Sequence, residues 1–170
     1  AAQTYRQSGD DFWPGPVNVT TTDITPDVCT KFDRHFRVTR DEVQQAIANF
    51  NRDAGGYPAG YLPPQVMQDW PGNGDDPEHG AGAGYAHFLA PFFDRNVDGI
   101  YNWEDGDYPY FEFNSAIPVC DDRMLGDQSL WWVFNDVGNV HRETDSPNPI
   151  GLEIQAQAFA FATNDEINNM

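Results

Sequence analysis

Apolar positions at helical spacing stand out first between Val43 and Phe50. Val43, Ala46, Ile47 and Phe50 fall on one face of a 3.6-residue period, which predicts an amphipathic helix. Thr39 can cap it, and Glu42 three residues on completes a capping box. Asp41 and Glu42 also suit the positive end of the helix dipole. The helix is predicted to end near Asn51 to Asp53, ahead of Gly55-Gly56. Phe32, Phe36 and Val38 lead into it and are expected to pack beside it.

Apolar runs and alternation mark the strands. Leu130 to Phe134 is a dense apolar strand, followed by a hairpin loop over Asn135-Asp136-Val137-Gly138-Asn139 and a return arm from Val140 to Glu143. From Gly151 to Ala162, Leu152, Ile154, Ala156, Ala158 and Ala160 alternate with Glu153, Gln155, Gln157, Phe159 and Phe161. That alternation predicts a strand with one small-residue face. Ala2 to Gln7 reads as the end of another strand, and His87 to Phe93 as a short apolar run. Between Gly55 and Gly84, five prolines interrupt any ladder, so the segment is predicted as a long loop. Tyr57, Tyr61, Leu62, Met67 and Trp70 would pin it to the body. The pattern as a whole predicts a mainly β, sandwich-like fold with one short capped helix and long acidic loops. Residues 1–170 form a single β-rich domain or a fragment of a larger protein.

Composition narrows the function. Twelve Phe, seven Tyr and five Trp give enough apolar bulk for a real core. The formal net charge is −18, from 27 acidic and 9 basic residues, so nucleic acid and anionic membranes are unsuitable partners. Divalent cations and basic partners suit it. No signal peptide or membrane-spanning stretch is present, so direct membrane insertion is not expected. The abrupt ends at Ala1 and Met170 suggest a piece of a longer chain. The two cysteines, Cys29 and Cys120, stand in no C-x-x-C arrangement, which argues against a redox or zinc pair. They are either buried thiols or, in an oxidising compartment, a disulfide closing a long loop.

Asp94 to Asp105 carries the strongest chemistry. Asp94, Asn96, Asp98, Asn102 and Asp105 occupy positions 1, 3, 5, 9 and 12 of an EF-hand-type calcium loop. Gly99 sits at position 6, where the backbone must turn sharply. Ile100 at position 7 would offer its carbonyl oxygen and bury its side chain. This spacing wraps oxygens around one point, as Ca2+ requires; Mg2+ demands a stricter octahedral shell. Asp107, just beyond, could join the same site or a second metal. The twelve residues resemble the calcium loop of dockerins. Gly106-Asp107-Tyr108-Pro109 follows where a dockerin has a helix, so the resemblance does not extend to a cohesin partner.

A wider set of segments, in order, is similar to the amino-terminal region of large Bacteroidetes cell-surface proteins exported by the type IX secretion system, often described as gliding-motility-associated. The segments are Gly9-Asp10-Asp11-Phe12-Trp13-Pro14-Gly15-Pro16, Leu89-Ala90-Pro91-Phe92 with the calcium loop, and Asp105-Gly106-Asp107-Tyr108-Pro109. Gly126-Asp127-Gln128-Ser129-Leu130-Trp131, Val133-Phe134-Asn135-Asp136 and Phe159-Ala160-Phe161-Ala162-Thr163-Asn164-Asp165 complete it. The resemblance implies an extracellular or outer-membrane-surface location, which supports the Cys29–Cys120 disulfide. It implies as partners other domains of the same large protein or a surface assembly, and supplies no activity. The Phe111 to Asp122 insert carrying Cys120 departs from its spacing.

No catalytic constellation accompanies these features. His35, His79, His87 and His141 are scattered, and H-E-x-x-H, G-x-S-x-G, the P-loop and G-x-G-x-x-G are missing from the sequence. His141 and Glu143 would share a strand face as a structural pair. The expectation is a non-enzymatic, calcium-stabilised structural or adhesive module of a secreted surface protein. The alternative is a carbohydrate-binding or glycan-processing module, with Trp13, Trp70, Trp103 and Tyr108 as candidate glycan contacts.

Overall fold

Thr39 caps the predicted helix as its sequence requires. Its side chain accepts from the Glu42 main-chain N–H, while the Glu42 carboxylate accepts from the Thr39 N–H at 2.7 Å. The computed structural model describes residues 11–110, 126–141 and 148–162. Its elements in chain order are β1 (Trp13–Pro14), α1 (Pro26–Phe32), β2 (Phe36–Thr39), α2 (Arg40–Asn49) and α3 (Gln65–Gln68). They continue with β3 (Phe92–Phe93), a 3-10 turn (Trp103–Asp105), β4 (Tyr108–Pro109), β5 (Gln128–Asn135) and β6 (Glu153–Ala160). Strand residues outnumber helical ones and the sheets are antiparallel, so the fold is mainly β.

The capped helix is α2, which stops at Asn49, short of the predicted Asn51 to Asp53. Val43 and Ala46 are buried on it, and Phe36 and Val38 are buried on the strand that leads into it; Phe32 is buried on α1. Two further α-helices among the described residues were not predicted. In α1, Thr25 caps the first turn and Pro26 takes the first helical position, where a missing N–H costs nothing. Its seven residues bury only Val28 and Phe32, too few to display a period. The other, α3, is a single turn that buries Met67 within the long Pro-rich segment.

β5 pairs with β1, β2 and β6 in a four-stranded sheet, and β3 pairs with β4 in a second sheet. β1 runs antiparallel to β5, with Trp13 opposite Asn135 and Pro14 opposite Phe134. Along β5, Ser129, Trp131, Val133 and Asn135 are buried and alternate with half-buried neighbours, as a period of two demands. β6 is a strand, as the alternation from Gly151 to Ala162 predicts.

The chain divides into two compact units built from interleaved segments. One comprises Ala1–His35, Asn73–Leu89 and Trp131–Ala156; the other comprises Phe36–Gly72, Ala90–Leu130 and Gln157–Met170. In the first, Gly15 donates to the Val133 carbonyl at 3.0 Å, and Val28 and Phe32 of α1 are buried. In the second, Met67, Trp70, Phe92, Tyr101 and Tyr108 are buried, and the Tyr101 hydroxyl donates to the Met67 carbonyl at 2.6 Å. Of the predicted pins on the Pro-rich segment, Met67 and Trp70 hold it, whereas Leu62 is exposed.

The return arm predicted from Val140 to Glu143 is only partly described, and Val140 and His141 lie outside any strand. His141 is buried, with Nε2 3.0 Å from the Asp136 carbonyl and 3.8 Å from its carboxylate. Asp136 is thus one of its partners. Glu143, Ala2 to Gln7, the Phe111 to Asp122 insert and Thr163-Asn164-Asp165 lie outside the described residues. So does Cys120; Cys29 is half-buried on α1. Among the described residues no helix is long and apolar enough to cross a membrane.

Candidate metal centre

The candidate loop lies in the second unit, between β3 and β4, whose pairing brings its two ends together. Phe93 stands opposite Tyr108, and their rings stack at 4.8 Å and 9°. Leaving β3, the chain curls around the Asp94 carboxylate. Asp94 Oδ1 accepts from the Val97 N–H at 2.7 Å and the Asp98 N–H at 3.3 Å, and Oδ2 accepts from the Gly99 N–H at 2.7 Å. Two residues there need left-handed backbone, Val97 at φ 60° and Gly99 at φ 81°. Gly99 adopts it without a Cβ penalty, so the turn falls where the position-6 glycine predicts. Asn96 Nδ2 donates to Asp98 Oδ2 at 2.9 Å, and Asp98 Oδ1 accepts from the Ile100 N–H at 2.8 Å.

The second half is organised by Asn102. Its Oδ1 accepts from the Glu104 N–H at 3.1 Å, starting the 3-10 turn, and its Nδ2 donates to Asp105 Oδ2 at 2.8 Å. The structure thus links Asp94, Asn96 and Asp98 around one turn, and Asn102 with Asp105 around another. Ile100 corrects one expectation: its side chain is 49% exposed, because the turn carries it away from the core.

Asp107 joins the two halves. Fully buried, it accepts from the Arg95 N–H at 2.8 Å through Oδ1 and from the Asn102 N–H at 2.9 Å through Oδ2. Burial pushes its carboxyl up to about 6, the two N–H bonds pull it down, and the charges of Asp94 and Asp98 push it further up. Asp107, a candidate for the same site or for a second metal, shows a role of its own in this geometry. Both its oxygens are turned to main-chain donors inside the protein, so it works as a clamp across the loop's ends. Sequence reasoning found the residue and missed this role, although the D-x-D spacing after the loop was a usable signal.

The donor set fits calcium in chemistry. Every candidate supplies oxygen, and carboxylate oxygens bonded to an N–H keep lone pairs for a cation. The mutual repulsion felt at Asp107 is what a bound cation would relieve. Among the described residues, no three His, Cys, Asp or Glu side chains are grouped closely enough to hold an ion alone. Asp94, Asp98 and Asp105 would hold an ion together with the side-chain oxygens of Asn96 and Asn102 and the Ile100 carbonyl oxygen.

The four candidate glycan contacts separate. Trp70 and Tyr108 are each 1% exposed, and Trp70 Nε1 donates to the Pro91 carbonyl at 3.1 Å. Neither can face a sugar, because each fills the core. Trp13 is half-buried in the first unit, its Nε1 donating to Asn139 Oδ1 at 2.8 Å and its ring covered by Gly138. Trp103 is half-buried on the 3-10 turn and stacks on Tyr57 at 6.5 Å.

No protein-family model, curated protein or solved structure matches the chain.

Proposed function

We propose that the chain is a calcium-stabilised structural or adhesive module of a secreted bacterial surface protein, working at the cell exterior beside other domains of its parent or within a surface assembly. The observation that carries this reading is the curl of residues 94–100 around the Asp94 carboxylate, closed at its base by Asp107. Asp94, Asn96, Asp98, Asn102 and Asp105 hold the ion, with the Ile100 carbonyl. The ion neutralises the carboxylates and fixes the loop's two halves to each other. No step of bond-making chemistry is part of the role. A sandwich-like arrangement belongs to the same reading, supported by the alternating burial along β5.

Thermal unfolding tests it. Calcium at a hundred times its dissociation constant adds about 2.7 kcal/mol to the folded state. For a chain of this size, that raises Tm by roughly 5–10 °C. Asp98→Ala abolishes the rise. A Tm indifferent to calcium and to EDTA removes the proposal. A second reading, glycan binding, is favoured by one observation: Trp103 and Tyr57 present stacked rings beside the loop.

A further inference from the structure

Two of the chain's nine basic residues converge on one pocket in the second unit. It has a volume of about 530 Å³, and its walls include Phe50, Arg52, Phe93, Arg95, Asn96 and Asp105. That size is typical of a small-molecule site. Arg95 is held in place before any ligand arrives. Its Nε donates to the Gly106 carbonyl at 3.1 Å, and its guanidinium lies 4.9 Å from the centre of the Phe50 ring. Gly106 permits this arrangement: at φ 88°, a Cβ there would come within 2.7 Å of both Arg95 Nε and the Phe50 ring. The terminal amino groups of Arg95 make no hydrogen bond among the described residues. In a chain with 27 acidic residues, neither Arg95 nor Arg52 forms an ion pair among the described residues. Arg52 is exposed.

We propose that this pocket binds an acidic sugar, a hydroxyl-bearing ring with a carboxylate. The proposal deepens the glycan-binding reading and rests on it; Asn96 and Asp105 are shared with the calcium reading, so binding is measured with and without calcium. Two guanidinium groups match a carboxylate, and Arg95 presents its fork already oriented. The aromatic rings of Phe50 and Phe93 suit the C–H face of a sugar. Asp105 decides between anions. Its carboxylate repels a bare anion and accepts hydrogen bonds from hydroxyls, so a ligand needs both an acid and O–H donors. Asn96 can donate and accept in the same ring of contacts.

Isothermal titration of the 170-residue chain tests this with methyl glucuronide, methyl glucoside and benzoate, each in EDTA and again in calcium. The glucuronide is expected to bind at least about tenfold more tightly than either of the others, the scale of one charge-assisted bidentate pair. Arg52→Ala is expected to remove that preference at unchanged Tm, since the Arg52 side chain makes no hydrogen bond or ion pair among the described residues. Arg95→Lys, which keeps the charge and loses the fork, weakens binding at least severalfold. Equal binding of the glucuronide and glucoside overturns the acidic-sugar inference and leaves glycan binding standing. Benzoate binding as tightly as the glucuronide removes the role of the hydroxyls. Binding of neither sugar ends both readings. Tm measured on the same samples reports separately on calcium.

Discussion

Asp107→Asn replaces a buried charge by a neutral group of the same shape, and the structure sets how its effect varies with pH. In the folded protein the Asp107 carboxyl moves from an ordinary 3.8 to about 6, chiefly because it is buried. A move of that size favours the neutral acid by about 3 kcal/mol. This is a net figure, since the bonds from Arg95 and Asn102 already pull the other way. The folded pKa is raised, so the folded state holds a proton that the unfolded chain has lost between about pH 4 and 6. Wild-type stability from this group is therefore complete below about pH 4, falls as pH rises towards 6, and levels off above it. Asp107→Asn cannot titrate there. Urea unfolding of both proteins at intervals from pH 4 to 8, without calcium, isolates the effect. Other titrating groups cancel in the difference. Wild type is expected to lose about 3 kcal/mol relative to the variant across that range, at up to about 1.4 kcal/mol per pH unit. Saturating calcium, held beside Asp94 and Asp98, removes their repulsion and moves the decline to lower pH. A difference between the proteins that stays constant with pH refutes the reasoning.

Three other outcomes follow from the geometry. Thr39→Ala removes one side of the capping box and is expected to cost about 1 kcal/mol, read as a lower urea midpoint at unchanged slope. Gly106→Ala forces a Cβ into left-handed backbone against Arg95 and Phe50. It is expected to destabilise by about 1–3 kcal/mol and to weaken ligand binding in the adjacent pocket; an unchanged midpoint contradicts the packing described. Burial pushes the Tyr57 phenol up to about 12, with Tyr61 and Asp107 adding to the rise and Arg95 opposing it. Its folded pKa is raised, so its contribution is complete below about pH 10 and lost as pH climbs towards 12; ultraviolet titration should show it ionising after exposed tyrosines.

How much of this was legible in the sequence depends on length and locality. The capping box at Thr39 and Glu42 could be read because both partners lie within four residues. β5 could be read from the dense apolar run Leu130 to Phe134, and β6 from the alternation between Gly151 and Ala162. The helix α1 escaped because its signals are terminal ones, Thr25, Pro26, Asp27 and Lys31, with only Val28 and Phe32 as core residues. The curl around Asp94 followed from the spacing of oxygens and the glycine at position 6. The clamp at Asp107 did not, because it depends on β3 and β4 bringing residues 95 and 107 together. Nor could sequence divide the candidate tryptophans, since the burial of Trp70 and the partial exposure of Trp103 are settled by partners far along the chain. The pocket escaped for the same reason. Arg52 and Arg95 are 43 positions apart and share nothing local.

Arg95 sits at the meeting of these features. Its main-chain N–H is held by Asp107, its side chain by Gly106 and Phe50, and its neighbour Asp94 is the first oxygen donor of the loop. One residue thus belongs to the wall of the pocket and to the frame of the loop. An ion held at Asp94 and an anion seated on the Arg95 guanidinium, as proposed, would stand on adjacent residues of this one clamp. Any coupling between them is reciprocal by thermodynamic necessity: the factor by which calcium changes sugar affinity equals the factor by which sugar changes calcium affinity. The proposed ion site and the proposed sugar site would then be read together through a single arginine.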